Sequence, residues 1–175
     1  MSRHPKPTAE PSSCQAVTSL IRDWAAVRPD LDTWAYRFFA SATELERQLN
    51  LALVPTFDEL GINGGDYEVL SQLRRAGAPY ERTPTALSQL MYLTTGAMTR
   101  RLDRLEAGGY LKRVPHGSDR RSIVVRLTPA GLVVVDEAIN RILPVISQIM
   151  EPVRDRVEDF EQIARAILDN LPGGS

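Results

Sequence analysis

The sequence predicts a mainly α-helical protein (α+β overall) in which one short β-hairpin interrupts a run of helices. Two observations carry that prediction. Apolar residues recur at spacings of three and four through most of the 175 residues, which is the period of an amphipathic helix. Only residues 110–114 and 123–127 are dense enough in β-branched and apolar side chains to read as strands. The polar stretch Pro115-His116-Gly117-Ser118-Asp119-Arg120-Arg121 between them reads as a hairpin tip.

Each element follows from local signals. Residues 1–12 hold three prolines and no apolar run, so they are expected to form a disordered tail rather than a signal peptide. Ser12 and Ser13 are plausible caps for a first helix. Its face is Val17, Leu20, Ile21 and Trp24, and Arg28-Pro29-Asp30 breaks it. Asp32 caps a longer helix with the stripe Trp34, Phe38, Ala42, Leu45, Leu49 and Ala52, which Pro55 is expected to end. Gly61 and Asn63-Gly64-Gly65 read as a turn. A third helix then carries Tyr67, Val69, Leu70 and Leu73 and stops near Gly77-Ala78-Pro79.

Thr83 at N-cap and Pro84 at the first helical position open a fourth helix, with Ala86, Leu87, Leu90 and Met91. Thr94 or Thr95 caps a fifth helix that runs to about Ala107 and ends at Gly108-Gly109. Two helices joined by so short a turn have helix-turn-helix spacing, and a basic hairpin after them makes a winged helix. Thr128-Pro129 starts a long helix with Leu132, Val135, Ile139, Ile142, Ile146 and Ile149. Pro144 is expected to bend it and Pro152 to end it. A last helix carries Val153, Val157, Phe160, Ala164, Ile167 and Leu171. Such stripes require a partner helix, in the same chain or in a second subunit. The expected organisation is a tail (1–12), N-terminal helices (13–62), a winged helix-turn-helix (63–128) and C-terminal helices (129–171).

Charge narrows the function. The net charge is −1, but its distribution is uneven. From Arg100 to Arg126 eight Lys/Arg face three Asp/Glu, a charge of +5 that leaves −6 on the remainder. One basic segment on an acidic body is the footprint of a phosphate-gripping site. On a helical wheel of the fifth helix, Met98, Leu102 and Leu105 share the face that must be core. Gly96, Arg100, Asp103 and Arg104 lie opposite, Thr99 lies to one side, and Arg101 sits at the core edge. A recognition helix reads bases through its N-terminal half. Arg100 is therefore the first candidate for a base contact, because its fork matches O6 and N7 of guanine. Thr95, Gly96 and Thr99 permit close approach or a phosphate contact, with Arg104 on the same exposed face. In the wing, Arg120 and Arg121 suit the minor groove, and Asp119 can brace one guanidinium.

Other signals weigh less. Cys14 is the only cysteine, so an internal disulfide is impossible and a reducing, cytoplasmic setting fits. Oxidation sensing at Cys14 would lack a resolving cysteine in the chain. His4 and His116 are too unaccompanied for a metal site, and no cofactor is expected. No nucleophile–base pair, phosphate loop or metal cluster points to an enzyme. No stretch resembles a membrane span. A helical protein-interaction module is the remaining rival, and the basic wing argues against it.

The motifs Thr83-Pro84-Thr85-Ala86-Leu87-Ser88, Gly96-Ala97-Met98-Thr99-Arg100-Arg101-Leu102-Asp103-Arg104-Leu105-Glu106, Asp119-Arg120-Arg121 and Leu127-Thr128-Pro129-Ala130-Gly131 closely resemble the MarR family of bacterial regulators. The resemblance implies a homodimer whose terminal helices intertwine. It also implies a pseudo-palindromic double-stranded DNA operator and, in most cases, a repressor released by a small anionic or phenolic ligand. Ile21-Arg22-Asp23-Trp24 and Leu73-Arg74-Arg75-Ala76-Gly77 are similar to the urate-responsive branch. That branch implies effector binding by Trp24, Glu68, Arg101 and Arg113. It usually carries aspartate at the position of Glu68, one methylene shorter. An arginine at the core edge needs either a carboxylate or a ligand anion, so an Arg101–Glu68 pair that merely ties elements together is the alternative reading.

Overall fold

The computed structural model describes residues 13–115 and 123–172. The wing residues Asp119, Arg120 and Arg121, as well as His4 and His116, lie outside the described residues, as does the side chain of Cys14. The chain divides at Pro55 into two compact units.

The first unit carries α1 (Ser13–Val27) and most of α2 (Trp34–Glu59). Ile21 on the expected face of α1 is buried, whereas Trp24, Trp34, Phe38, Phe39 and Leu45 are exposed. Asp32 stands just before the N-cap position, which Thr33 occupies with its carbonyl accepting the Arg37 N–H at 2.9 Å, and the Asp32 Oδ1 accepts the Trp34 N–H at 3.3 Å. Pro55 does not end the helix, which continues to Glu59. A proline removes one backbone donor and leaves the following turn free to form. Here the last turn is anchored in the second unit by Phe57, which is buried and lies 5.4 Å from Tyr67, centroid to centroid.

The second unit holds α3 (Gly64–Arg75), β1 (Glu81–Arg82), α4 (Pro84–Leu90), α5 (Thr95–Ala107), β2 (Leu111–Pro115), β3 (Ile123–Leu127), α6 (Pro129–Met150), a 3-10 turn (Glu151–Arg156) and α7 (Val157–Asp169). Gly64 and Gly65 are the first residues of α3 rather than part of a turn. Asn63 is the N-cap, its side chain accepting the Asp66 N–H at 2.9 Å. These glycines serve close approach. A Cβ on Gly64 would meet the Phe57 ring at 3.4 Å, and one on Gly65 would lie 2.7 Å from the Arg101 guanidinium carbon.

Among the described residues the strands form one antiparallel sheet in the order β1-β3-β2. Leu111 faces Leu127 and Arg113 faces Val125 across β2 and β3, while Arg82 faces Val125 across β1 and β3. The two-residue strand β1 was not visible as a pattern in the sequence. Val69, Leu70, Leu73, Leu87, Met98, Leu102, Leu105, Leu111 and Val125 form the core, each 2% exposed or less.

The motif Leu127-Thr128-Pro129-Ala130-Gly131 is a junction. Thr128 caps α6 by accepting the Gly131 N–H at 3.0 Å, and its hydroxyl donates to the Gly109 carbonyl at 2.7 Å. Gly131 is buried, and a Cβ there would lie 1.9 Å from the Tyr110 carbonyl oxygen. The expected stripe of α6 splits as a result. The residues turned into this unit are Gly131, Val134, Val135, Ala138 and Ile142. Leu132, Ile139 and Ile146 are half-buried and Ile149 is exposed. Pro144 lies within α6 and Pro152 within the 3-10 turn that follows it. Among the described residues, no helix is long and apolar enough to cross a membrane.

Candidate nucleic-acid interface

The helix-turn-helix is α4, a three-residue-scale turn through Met91–Leu93 and α5. Both helices start on threonine caps: Thr83 accepts the Ala86 N–H at 3.1 Å and Thr94 accepts the Ala97 N–H at 3.3 Å. Pro84 takes the first position of α4 because that residue needs no N–H. Gly109, at φ 75, terminates α5.

The two faces of α5 are sharply different. Met98, Leu102 and Leu105 are each 1% exposed. Thr95, Gly96, Thr99 and Arg100 are exposed, and the space beside Gly96 is open, with nothing within 4 Å of a Cβ built there. The Thr99 hydroxyl donates to the Thr95 carbonyl at 2.9 Å, and Arg100 Nε donates to the Gly96 carbonyl at 3.4 Å. The Arg100 contact is a long bond within its own helix, and no carboxylate is among the partners identified for this guanidinium. Thr85, Ser88, Thr95 and Thr99 also help to line a cleft of about 290 Å³ between α4 and α5.

Three other arginines of this region are held. Arg104 grips Asp66, with Nη2 at 2.6 Å from Oδ1 and Nε within 3.1 Å of both oxygens. The Asp66 side chain is only 5% exposed and that of Arg104 is 52% exposed. The hydrogen bond to Asp66 holds the Arg104 pKa above its ordinary value. Arg101 sits at the core edge as the wheel implied, and donates to the Gly65 carbonyl at 3.2 Å and to Glu68 at 3.4 Å. Arg113 on β2 binds Asp103 at 2.6 Å and also Glu106. Burial pulls the Arg113 pKa down, but the hydrogen bonds to Asp103 and Glu106 outweigh it and leave it raised. Glu106 accepts the Arg113 backbone N–H at 2.9 Å, and this bond first, then the guanidinium, lowers its pKa. The result is a helix tied to α3 at two points and to β2 at one, with its open face free of those ties.

A family profile described as MarR family matches residues 60–122. The HTH-type transcriptional regulator PecS of Dickeya dadantii is 31% identical over 157 residues, covering 90% of this chain and 90% of that protein. The multiple antibiotic resistance protein MarR of Salmonella typhimurium is 35% identical over 96 residues, 55% of this chain and 62% of that protein. The chain belongs to the MarR family. Its fold agrees, since a crystal structure of a mutant MarR from E. coli complexed with operator DNA matches at a TM-score of 0.69. That match has 22% identity and covers 83% of this chain and 97% of that one. This MarR-family member is accordingly a DNA-binding transcriptional regulator with a winged helix-turn-helix.

Of the residues proposed for DNA, Thr95, Gly96, Thr99 and Arg100 share the open face of α5, and Arg104 is shared with Asp66. Of those proposed for an effector, Glu68, Arg101 and Arg113 lie in the second unit, and Trp24 lies on α1 in the first, 42% exposed. Sequence reading missed Asp66 and Glu106. Asp66 follows the N-cap Asn63 by three residues, the spacing at which an acid supports a helix start. That signal was available, but reading Gly64-Gly65 as a turn hid it.

Proposed function

We propose that this MarR-family protein is a repressor that binds a pseudo-palindromic operator as a homodimer and is released by a small anionic aromatic ligand, with urate as the first candidate. The observation that supports the DNA reading is the exposed guanidinium of Arg100, whose bond among the described residues is to the Gly96 carbonyl of its own helix and not to a carboxylate, on the exposed face of α5. On this reading Arg100 contacts a base edge, Thr95, Gly96 and Thr99 allow close approach, and the outer side of Arg104 meets phosphate. Arg120 and Arg121, braced by Asp119, enter the minor groove.

The homodimer reading rests on apolar surface. Val157, Phe160, Ile163, Ile167, Leu168 and Leu171 are all exposed on α7 and its end. A helix with so apolar a stripe buries it against another helix.

Effector binding is assigned to Trp24, Glu68, Arg101 and Arg113 through the family resemblance. In the second unit the chemistry suits release. Arg101 and Arg113 hold α5 to α3 and to β2 through carboxylates. A ligand anion that draws either arginine away from its carboxylate favours the state with α5 loosened. Linkage requires only that it bind that state better.

The test is a titration of urate and a panel of aromatic acids against the protein bound to DNA upstream of its own gene. Tight, salt-sensitive binding relieved by urate supports the whole reading. Binding relieved only by another compound replaces the effector and leaves the regulator. Trp24→Ala is expected to abolish the ligand response at unchanged DNA affinity, and an unchanged response removes Trp24 from the site.

A further inference from the structure

Among the described residues, Tyr80 (φ 60) and Tyr92 (φ 51) are the residues other than glycine with positive φ. For a bulky side chain this left-handed conformation is unfavourable, and glycine adopts it freely. The same chain uses glycine for it at Gly61, Gly77 and Gly109.

The two tyrosines differ in what their side chains do. Tyr80 is half-buried, and its ring lies 5.2 Å from the Arg74 guanidinium. Its carbonyl accepts the Leu127 N–H at 3.1 Å, which joins the segment before β1 to the end of β3. Tyr92 is 97% exposed, and its ring has no ring contact or side-chain hydrogen bond among the described residues. Its backbone is set by the turn alone. The Tyr92 N–H donates to the Gln89 carbonyl at 3.3 Å and the Leu93 N–H to the Ser88 carbonyl at 2.9 Å. Glycine would satisfy both bonds without strain. Nothing inside the described chain uses the Tyr92 ring, yet the turn holds it in a costly conformation. Strain of this kind collects where a side chain serves an external ligand.

The position indicates which ligand. Tyr92 is the middle of the turn between α4 and α5 and stands three residues before Thr95, the first residue of α5. The chain between them spans at most about 11 Å, about three base-pair rises along the DNA axis. Ser88 and Gln89 before it, and Thr95 and Thr99 after it, line the cleft between the two helices.

We propose that Tyr92 is a DNA-contacting residue. Its hydroxyl donates a hydrogen bond to a backbone phosphate oxygen beside the base pairs that α5 reads, and so positions the helix along the groove. This rests on the DNA-binding role of α5. Contacts of this type fix register and orientation without carrying sequence information themselves. A phenol is a competent donor to phosphate, and its ring gives it reach beyond the short hydroxyls of Thr95 and Thr99.

The experiment uses the full chain and a duplex that the parent protein retains from a random-sequence pool. Affinity is read by fluorescence anisotropy and stability by thermal melting, for the parent, Tyr92→Phe and Tyr92→Gly. Tyr92→Phe is expected to melt with the parent and bind about fivefold more weakly, the size of one lost hydrogen bond. Tyr92→Gly is expected to raise Tm by about 2–4 °C as the left-handed strain is relieved, while losing at least as much affinity. The slope of affinity against salt stays unchanged in both, because a hydroxyl releases no counterion. A Tyr92→Phe variant that binds as tightly as the parent overturns the hydroxyl contact. A Tyr92→Gly variant that also binds as tightly overturns any role of the ring in DNA binding. A parent that retains no duplex overturns the DNA reading of α5 and this proposal with it.

Discussion

The interior of the second unit and the outer face of α7 both carry large apolar side chains, and they are opposite in burial. Leu70, Leu73, Leu87 and Leu102 are 0–1% exposed, whereas Phe160 is 61% and Leu168 60% exposed. The winged helix-turn-helix has a complete core of its own, so it needs no partner to hold α5 in place. The terminal helices have an apolar surface with no partner inside the described chain. On the proposed function the difference separates two jobs: one region presents a reading head, and the other, paired with a second copy, sets the distance between two such heads. Four changes test that division, each expected to act on one side of it.

The largest effect is expected from charging the α7 stripe. Phe160→Asp with Ile167→Asp should convert a dimer to monomers and lower operator affinity at least about 100-fold, because two coupled half-sites become independent. Sedimentation and anisotropy read this. If both residues were merely exposed, the changes would cost less than about 0.5 kcal/mol and alter nothing else. The second test is Gly131→Ala. The new methyl would meet the Tyr110 carbonyl, so α6 must shift from the sheet at a cost of about 3 kcal/mol, seen as a lower Tm in a protein that still dimerises.

Arg104→Ala comes third. It leaves the Asp66 carboxylate buried without its guanidinium, at a cost of about 2 kcal/mol after allowing for the half-exposed arginine. Denaturant unfolding should show that loss at pH 7.

The smallest effect concerns Glu106. Its folded pKa is lowered, first by the Arg113 backbone N–H. The stabilisation it provides is therefore present above the ordinary glutamate pKa of about 4.3 and is lost as pH falls through the lower folded value. Tm should drop over that window in the parent, and Glu106→Gln should flatten this part of the profile. An identical pH profile in the variant would remove Glu106 from the account.

Much of this was legible in the sequence, because the signals were local. Caps at Thr83, Thr94 and Thr128 and the stripe Met98, Leu102, Leu105 depend on neighbours within one or two turns, and they gave α4, α5 and the start of α6 correctly. The placement of Arg101 at the core edge and Arg100 outside also followed from periodicity alone. What failed depended on distant contacts. Pro55 and Gly64-Gly65 read as breaks, but Phe57, Tyr67 and the Arg101 guanidinium make use of those positions. Strand β1 exists because Arg82 and Glu81 pair with β3, more than forty residues away. The Arg104–Asp66 pair spans 38 residues, which no helical wheel can join. Arg104, proposed for DNA from its exposed position, therefore also has a structural partner in Asp66.

The measurement that bears most directly on the central claim is the affinity of Arg100→Ala, against the parent, for a duplex that the parent selects. The open face of α5 is claimed to read bases while its other arginines hold it in place. Binding is expected to weaken about 5- to 150-fold, with relaxed preference at one base pair and an unchanged Tm. Equal affinity and equal preference in parent and variant would contradict it.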